Sequence, residues 1–336
     1  MLSVRQIPQW FSKDAGPMVC IEEEALVTGP SSDSCGTSTR WNGGPHHTPA
    51  MVNEVVELLV QTKARFVVDG TAGEGGHSAA MSEHLQEDGV LLALDRDPSV
   101  MSSLRGRLAN VESAMVMKGL YQDLPILTEE LGLPSPDFVL LDLGLSSFQL
   151  ADSERGFSFQ RDDPCDMRMS CEGGMSAAEV INEMDYSQLA DLLYELGGER
   201  RARRIALEIL KERERSPIRT NRQLLSAIQR AYQGKRGRLH PATRTFQALR
   251  IYVNAEMEAI QKALQVIPPI LTEGGILAVI SYHSLEDSKV KGAFRELEDD
   301  DYEVLTNKPV RPSTEEISSN RRSRSAKLRA LRRRVI

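Results

Sequence analysis

Three acids of the chain stand at the ends of apolar runs, and the first of them opens a glycine-rich turn. That turn reads Asp69-Gly70-Thr71-Ala72-Gly73-Glu74-Gly75-Gly76-His77. The apolar run Phe66–Asp69 precedes it and a helical pattern begins at about His77, so it joins a strand to a helix. Glycines at such a place let the backbone approach a ligand closely and accept positive φ, and the helix behind them offers free N–H groups. The second acid, Asp95, ends the next apolar run, 19 residues beyond Gly76. An acid about 20 residues past the turn accepts hydrogen bonds from ribose hydroxyls. The third, Asp142, closes the run Phe138–Leu141. Turn, spaced acid and strand context together point to an adenosine-containing ligand beyond the carboxyl ends of the strands. The spacing is not the dinucleotide Gly-x-Gly-x-x-Gly, and no Gly-x-x-x-x-Gly-Lys phosphate loop occurs.

Positioning these residues falls to an alternation of strands and helices. A helix is expected from Thr48, as its cap, with Pro49 in the first turn, to about Thr62. Strands are expected at Phe66–Asp69, Val90–Leu94, Ala114–Met117 and Phe138–Leu141, with helices between them, which indicates a parallel, doubly wound α/β sheet. From about Ala151 to Thr243 the pattern is helical without a buried strand. Strand character returns at Ile276–Ser281, after a long helix over about 246–271 that Pro268-Pro269 should break, and ends at Tyr302–Asn307. The division read from this is an extension at 1–45, an α/β core at 46–150 and 244–336, and an inserted helical domain at 151–243.

Composition sets the outer limits. The 336 residues are 40% hydrophobic and 26% charged, ordinary globular values that exclude wholesale disorder. No run of 18 apolar residues suggests a membrane helix. Cys20, Cys35, Cys165 and Cys171 form neither a CxxC pair nor a zinc-like cluster, which suggests a reducing, cytoplasmic setting. The net charge of −7 hides an uneven spread, because residues 308–336 alone carry ten basic and two acidic side chains. With Lys235, Arg236, Arg238, Arg244 and Arg250, the basic Arg321–Arg334 tail is expected to meet phosphates.

The turn Asp69-x-x-x-Gly73-x-Gly75 resembles the cofactor loop of class I S-adenosylmethionine methyltransferases, with Thr71 at the usual first glycine. That cofactor is a sulfonium cation without phosphates, so Asp69, Glu74, Asp95 and Asp142 suit it where they would repel a pyrophosphate. Longer segments narrow the likeness: Leu94-Asp95-Arg96-Asp97-Pro98, Leu140 to Leu150, Glu154-Arg155-Gly156-Phe157-Ser158-Phe159, Gly198 to Ala206, His240 to Ile251, and Ile280 to Asp287. Over about 46–330 the chain resembles the MraW family of small-subunit ribosomal RNA methyltransferases.

The resemblance implies a Rossmann-like class I core with an all-helical insertion, S-adenosylmethionine as cofactor, and N4-methylation of a decoding-centre cytidine in 16S ribosomal RNA, within the 30S subunit. It assigns cofactor contacts to Gly75, Gly76, His77, Asp95, Tyr121 on the adenine face, Asp142 and Gln149. The Asn/Asp-Pro-Pro-aromatic motif of many amino-methyltransferases is absent after the fourth strand, where Asp142-Leu143-Gly144-Leu145 stands. Asp142 is therefore the candidate catalytic acceptor, with contact to the cofactor's amine as the alternative. Arg244, Arg250 and His283 are candidate substrate contacts, Phe157, Phe159 and Tyr282 candidate walls for an unstacked base, and no metal is called for. Two rival functions stay open: a methyltransferase for protein or small molecules, and a non-catalytic RNA or assembly module on the same fold.

Overall fold

The computed structural model describes residues 48–152, 154–170, 173–234, 239–299 and 301–335. The extension at 1–45, Cys171, and the basic Lys235, Arg236 and Arg238 lie outside the described residues. The strands are β1 (Phe66–Asp69), β2 (Val90–Asp95), β3 (Ala114–Lys118), β4 (Phe138–Asp142), β5 (Ile276–Ser281), β6 (Tyr302–Val304) and β7 (Lys327–Arg333). The first helices are α1 (Val52–Leu59), α2 (Gly76–Ser82), α3 (Met101–Arg107), α4 (Leu124–Glu130) and α5 (Ser147–Ala151). A helical block follows: α6 (Ala177–Glu183), α7 (Tyr186–Glu195), α8 (Ala202–Arg213), α9 (Asn221–Tyr232) and α10 (Ala242–Val253). The last helices are α11 (Glu256–Val266), α12 (Ser284–Leu297) and α13 (Thr314–Ser319).

One sheet takes the order β3-β2-β1-β4-β5-β7-β6. β1 to β5 pair in parallel, and β7 runs antiparallel to β5 and β6. Strands covered on both faces must be apolar throughout, which is why β1, β2, β4 and β5 are nearly continuous aliphatic runs. Alternate residues point to opposite faces. Val67, Leu91, Ala93, Leu140 and Ala278 meet Val55 and Leu59 of α1, Met81 of α2 and Leu104 of α3. Their neighbours Val68, Leu92, Val139, Leu141 and Val279 meet Leu124 of α4, Ile260 and Leu264 of α11 and Phe294 of α12.

The helical block packs around its own cluster, including Val180, Leu189, Leu193, Ile205, Ile209, Leu224 and Ile228. Phe246, Ala248 and Leu249 of α10 complete it, so its packing continues past residue 243 to the end of that helix. Capping boxes start α6 at Ser176, α7 at Asp185 and α9 at Thr220.

Three expected elements differ. Thr48 does not cap the first helix; α1 begins after Met51, whose N–H donates to Glu316 Oε1 of α13 at 2.8 Å, and it ends at Leu59. The long helix over 246–271 is two helices, because Ala255 takes φ 48 and Asn254 leaves the helical path. Asn254 is drawn out by tertiary bonds: its Nδ2 donates to Met167 O and its Oδ1 accepts from Met169 N, both at 2.7 Å. Finally, the basic tail is not free surface throughout: Arg321, Arg322 and Arg324 are exposed, but Lys327–Arg333 is built into the sheet. Its second half is β7, inserted between β5 and β6 with Leu328, Ala330 and Leu331 buried. Arg329 Nε and Lys327 Nζ pair with Asp287 at 2.7 and 2.9 Å, and Arg333 Nη1 donates to Leu271 O at 2.7 Å.

Candidate active site

A cleft of about 1140 Å³, open solvent included, lies at the carboxyl ends of β1, β2 and β4. Its first wall is the glycine turn. Gly75 takes φ +81, and a Cβ there would lie 2.8 Å from Leu104 Cδ1; a Cβ on Gly76 would lie 2.9 Å from Pro49 Cγ. Only glycines let the turn sit this low between Pro49 and α3. Gly76 lines the cleft, whereas Gly75 supports the wall from behind.

Asp95 closes the turn. Its Oδ2 accepts the Gly73 N–H at 2.8 Å and its Oδ1 the Asp97 N–H at 2.9 Å. Each oxygen retains acceptor capacity, and the residue lines the cleft. Burial pushes the Asp95 carboxyl up to about 6, against the pull of those two N–H groups. Asp69 lies deeper, with Ser78 Oγ donating to its Oδ2 at 2.6 Å. Burial raises its pKa despite His77 and Ser78 beside it.

Asp142 faces the turn from β4. Its N–H donates to Thr71 Oγ1 at 2.6 Å, which explains a threonine where related loops have glycine: the hydroxyl ties the turn to the strand carrying the acid. The Tyr282 hydroxyl donates to Asp142 Oδ1 at 2.9 Å, and His77 Nε2 stands 3.5 Å from Oδ2. Burial and that carboxylate hold the Tyr282 hydroxyl protonated, well above its usual range. Burial disfavours the His77 imidazolium, but Asp142 and Asp69 outweigh it and raise the His77 pKa.

The third wall joins Tyr121 and Gln122, after β3, to Ala259 and Ile260 of α11. Gln122 Oε1 is buried there without a hydrogen-bond partner. Below it lie two acids that were not singled out in the sequence, Glu256 and Glu286, where they look like ordinary first-turn helix acids. Glu256, His283 and Glu286 offer ligand atoms within 4.8 Å of one another. The positive charge at this cluster belongs to Arg250, whose Nε and Nη2 hold Glu256 at 2.8 and 2.7 Å, with Glu286 at 3.8 Å. Burial opposes the Glu286 charge, but His283 and Arg250 outweigh it and lower its pKa.

Gly76, His77, Asp95, Tyr121, Asp142 and Gln149 thus come together on one cleft, with Tyr282 beside them. Gln149 does so only as a support, and the remaining candidates are placed elsewhere. The Gln149 amide is engaged at both ends, Oε1 by Ser146 N–H and Nε2 at Asp97, so it holds the wall rather than offering a polar contact. Arg250 is bound to Glu256 and is not available to phosphate. His283 caps α12, its Nδ1 accepting the Glu286 N–H at 3.3 Å, and does not line the cleft. Phe157 is in the core of the helical block, and Phe159 stacks on His240 at 4.6 Å, so neither walls the cleft. Arg244 is half-buried on α10, outside the cleft.

The lining carries five carboxylates, Glu74, Asp95, Asp142, Glu256 and Glu286, against one guanidinium, Arg96. That balance suits a sulfonium and an ammonium and disfavours a pyrophosphate. The orphaned Gln122 Oε1 beside Tyr121 suits the amino group of an adenine. S-adenosylmethionine therefore fits the residues present. Asp95 would hold its ribose, Tyr121 and Ile260 its adenine, and the turn with His77 its methionine end. Sheet order, glycine turn and acid-rich cleft together define a class I S-adenosylmethionine methyltransferase.

Within that class, a model described as the MraW methylase family matches residues 44–334, and the chain belongs to that family. It is 43% identical over 290 residues to ribosomal RNA small subunit methyltransferase H of Coprothermobacter proteolyticus, covering 86% of this chain and 96% of that one. Proteins of the same name from Deinococcus deserti and Acidobacterium capsulatum are 44% and 45% identical, with 86% and 84% of this chain and 94% and 97% of theirs covered.

Proposed function

We propose that this chain methylates the N4 amine of a decoding-centre cytidine in 16S ribosomal RNA, within the 30S subunit and in the cytoplasm. The relatives' names support the RNA substrate. The observation that carries the chemistry is the Asp142 carboxylate at the cleft, oriented by the Tyr282 hydroxyl at 2.9 Å. S-adenosylmethionine, when bound, supplies an electrophilic methyl group. An exocyclic amine is a poor nucleophile because its lone pair is delocalised into the ring. Asp142 Oδ2 accepts one of its N–H bonds, which favours the pyramidal nitrogen and stabilises positive charge as it grows there. Tyr282, held protonated, keeps Oδ1 occupied and so leaves Oδ2 for the amine. After transfer the nitrogen sheds a proton to Oδ2, with His77 Nε2 3.5 Å away to share it. A fixed carboxylate of this kind acts by being in place before charge develops.

A polyanion also needs cations at the surface. Arg200, Arg203 and Arg204 are exposed at the start of α8, and Tyr194 of α7 is 63% exposed. A basic stretch with an exposed aromatic suits phosphates and an unpaired base. The test is transfer of labelled methyl to purified 30S subunits, followed by nucleoside analysis. N4-methylcytidine is the expected product. Label in a protein fraction, or no label with cofactor bound, would favour one of the rival functions instead.

A further inference from the structure

Asp97 lies two residues beyond the ribose acid and is fully buried. Arg155, from the segment entering the helical block, grips it with two nitrogens, Nη1 on Oδ2 at 2.5 Å and Nη2 on Oδ1 at 2.9 Å. Gln149 Nε2 donates to Oδ2 at 2.9 Å, and Ser99 donates to Oδ1 through N–H and Oγ at 3.0 and 2.7 Å. A buried carboxylate so fully bonded is held in one geometry.

Each partner leads to a different wall of the cleft. Through its own N–H, Asp97 holds Asp95 Oδ1, whose other oxygen holds Gly73 of the turn. Through Gln149, it fixes Ser146 in the segment that follows Asp142. Through Arg155, it reaches the block: Nη1 also donates to Met169 O at 3.0 Å, and Met169 is tied to Asn254 between α10 and α11. The turn that aims Arg155 is itself restricted, since a Cβ on Gly156 would lie 1.9 Å from Pro164 O.

We propose that Asp97 and Arg155 are a positioning pair that couples the seating of the helical block to the cofactor acid Asp95 and the Ser146 segment. The cleft then takes its cofactor tightly only when the block is docked. This rests on the S-adenosylmethionine reading of the cleft. A pair that only stabilised the fold would need no contact with three cleft walls, and buried ion pairs contribute little net stability over apolar substitutes.

The experiment is calorimetric titration of the full chain with S-adenosylmethionine, alongside thermal unfolding and hydrogen exchange. Asp97→Asn with Arg155→Met removes both charges, so no lone buried charge is left; Arg155→Lys keeps the charge and loses the two-pronged grip. Both should weaken cofactor binding by about 5- to 150-fold, the usual range of coupling between sites. Exchange at Gly73–Gly76 and 143–149 should quicken in the absence of cofactor. A folded double variant with wild-type Kd and exchange would overturn the pair as a coupling device, and so would an unchanged Kd in Arg155→Lys if the double variant fails to fold. Wild-type protein that binds no S-adenosylmethionine would instead sink the cofactor reading, a distinct result.

Discussion

Removing β7 should unfold the chain rather than weaken its grip on RNA. Truncation after Ala326 deletes a strand bonded on both sides: six residue pairs to β5 and three to β6. It also removes Leu328 and Leu331, at 1% and 0% exposure. Cutting a buried leucine back to alanine costs about 2–5 kcal/mol, so these two side chains alone are worth roughly 4–10 kcal/mol. Whole domains are stable by only about 5–15 kcal/mol. Asp287 would in addition lose both of its cationic partners, Arg329 and Lys327. The truncated chain is therefore expected in the insoluble fraction, without near-ultraviolet dichroism and without cofactor binding. A milder form of the test is Leu331→Ala, which should stay folded but unfold at a clearly lower temperature. A soluble truncated chain with unchanged unfolding temperature and cofactor affinity would refute the reasoning and leave the tail free to meet phosphates, as its charge suggests.

Asp142→Asn should lower single-turnover rates by about 10²–10³ at saturating cofactor with little change in cofactor Kd; a raised Kd with the rate restored by excess cofactor would mean that Asp142 holds the methionine amine instead. Because the Asp95 carboxyl sits at about 6, it protonates as pH falls through that value and loses its acceptor character, so cofactor affinity should fall below pH 6. In Asp95→Ala that limb should vanish, with affinity at pH 7.5 lower by about 10- to 150-fold, as for a hydrogen bond to a charged group. Arg250→Met should cost about 3–5 kcal/mol of stability by leaving Glu256 buried without its cation, while the salt dependence of RNA binding stays as in wild type. A flatter salt slope in that variant would restore Arg250 to the phosphate surface.

The parallel strands were legible because burial on two faces demands aliphatic runs, and each functional acid stood where such a run stopped. Inside the block the helical pattern was legible, and its helices start at the capping residues Ser176, Asp185 and Thr220. β7 was hidden by its composition. Lys327-Leu328-Arg329-Ala330-Leu331-Arg332-Arg333 reads as charge, yet Leu328 and Ala330 alternate with Lys327 and Arg329, whose heads both find Asp287. Period-two spacing within a basic run was the available signal. The bend at Asn254 had no local signal at all, since bonds from residues more than 80 positions away create it. Glu256 and Glu286 were missed for the opposite reason: acids in a first helical turn are usually solvated, and only the packing of α11 against α12 turns them into cleft walls.

Sequence charge and surface charge are different quantities in this protein, and the difference redirects the search for its RNA-facing side. Of the cations expected to meet phosphate, Arg250, Lys327, Arg329 and Arg333 are bound to carboxylates or carbonyls inside the fold. Arg155 is likewise enclosed at Asp97. Arg250 and Arg155 neutralise Glu256 and Asp97, so the cleft and its supports draw counter-charges from the chain's interior. Among the described residues, exposed cations remain at Arg321, Arg322 and Arg324 ahead of β7 and at the basic start of α8, on the helical block that Arg155 ties to the cofactor acid. An RNA docked there would press on the same block whose seating sets Asp95. Substrate and cofactor should then strengthen each other's binding, since coupling between two sites is reciprocal. Without Arg155 the two affinities should become independent, even where each is still measurable.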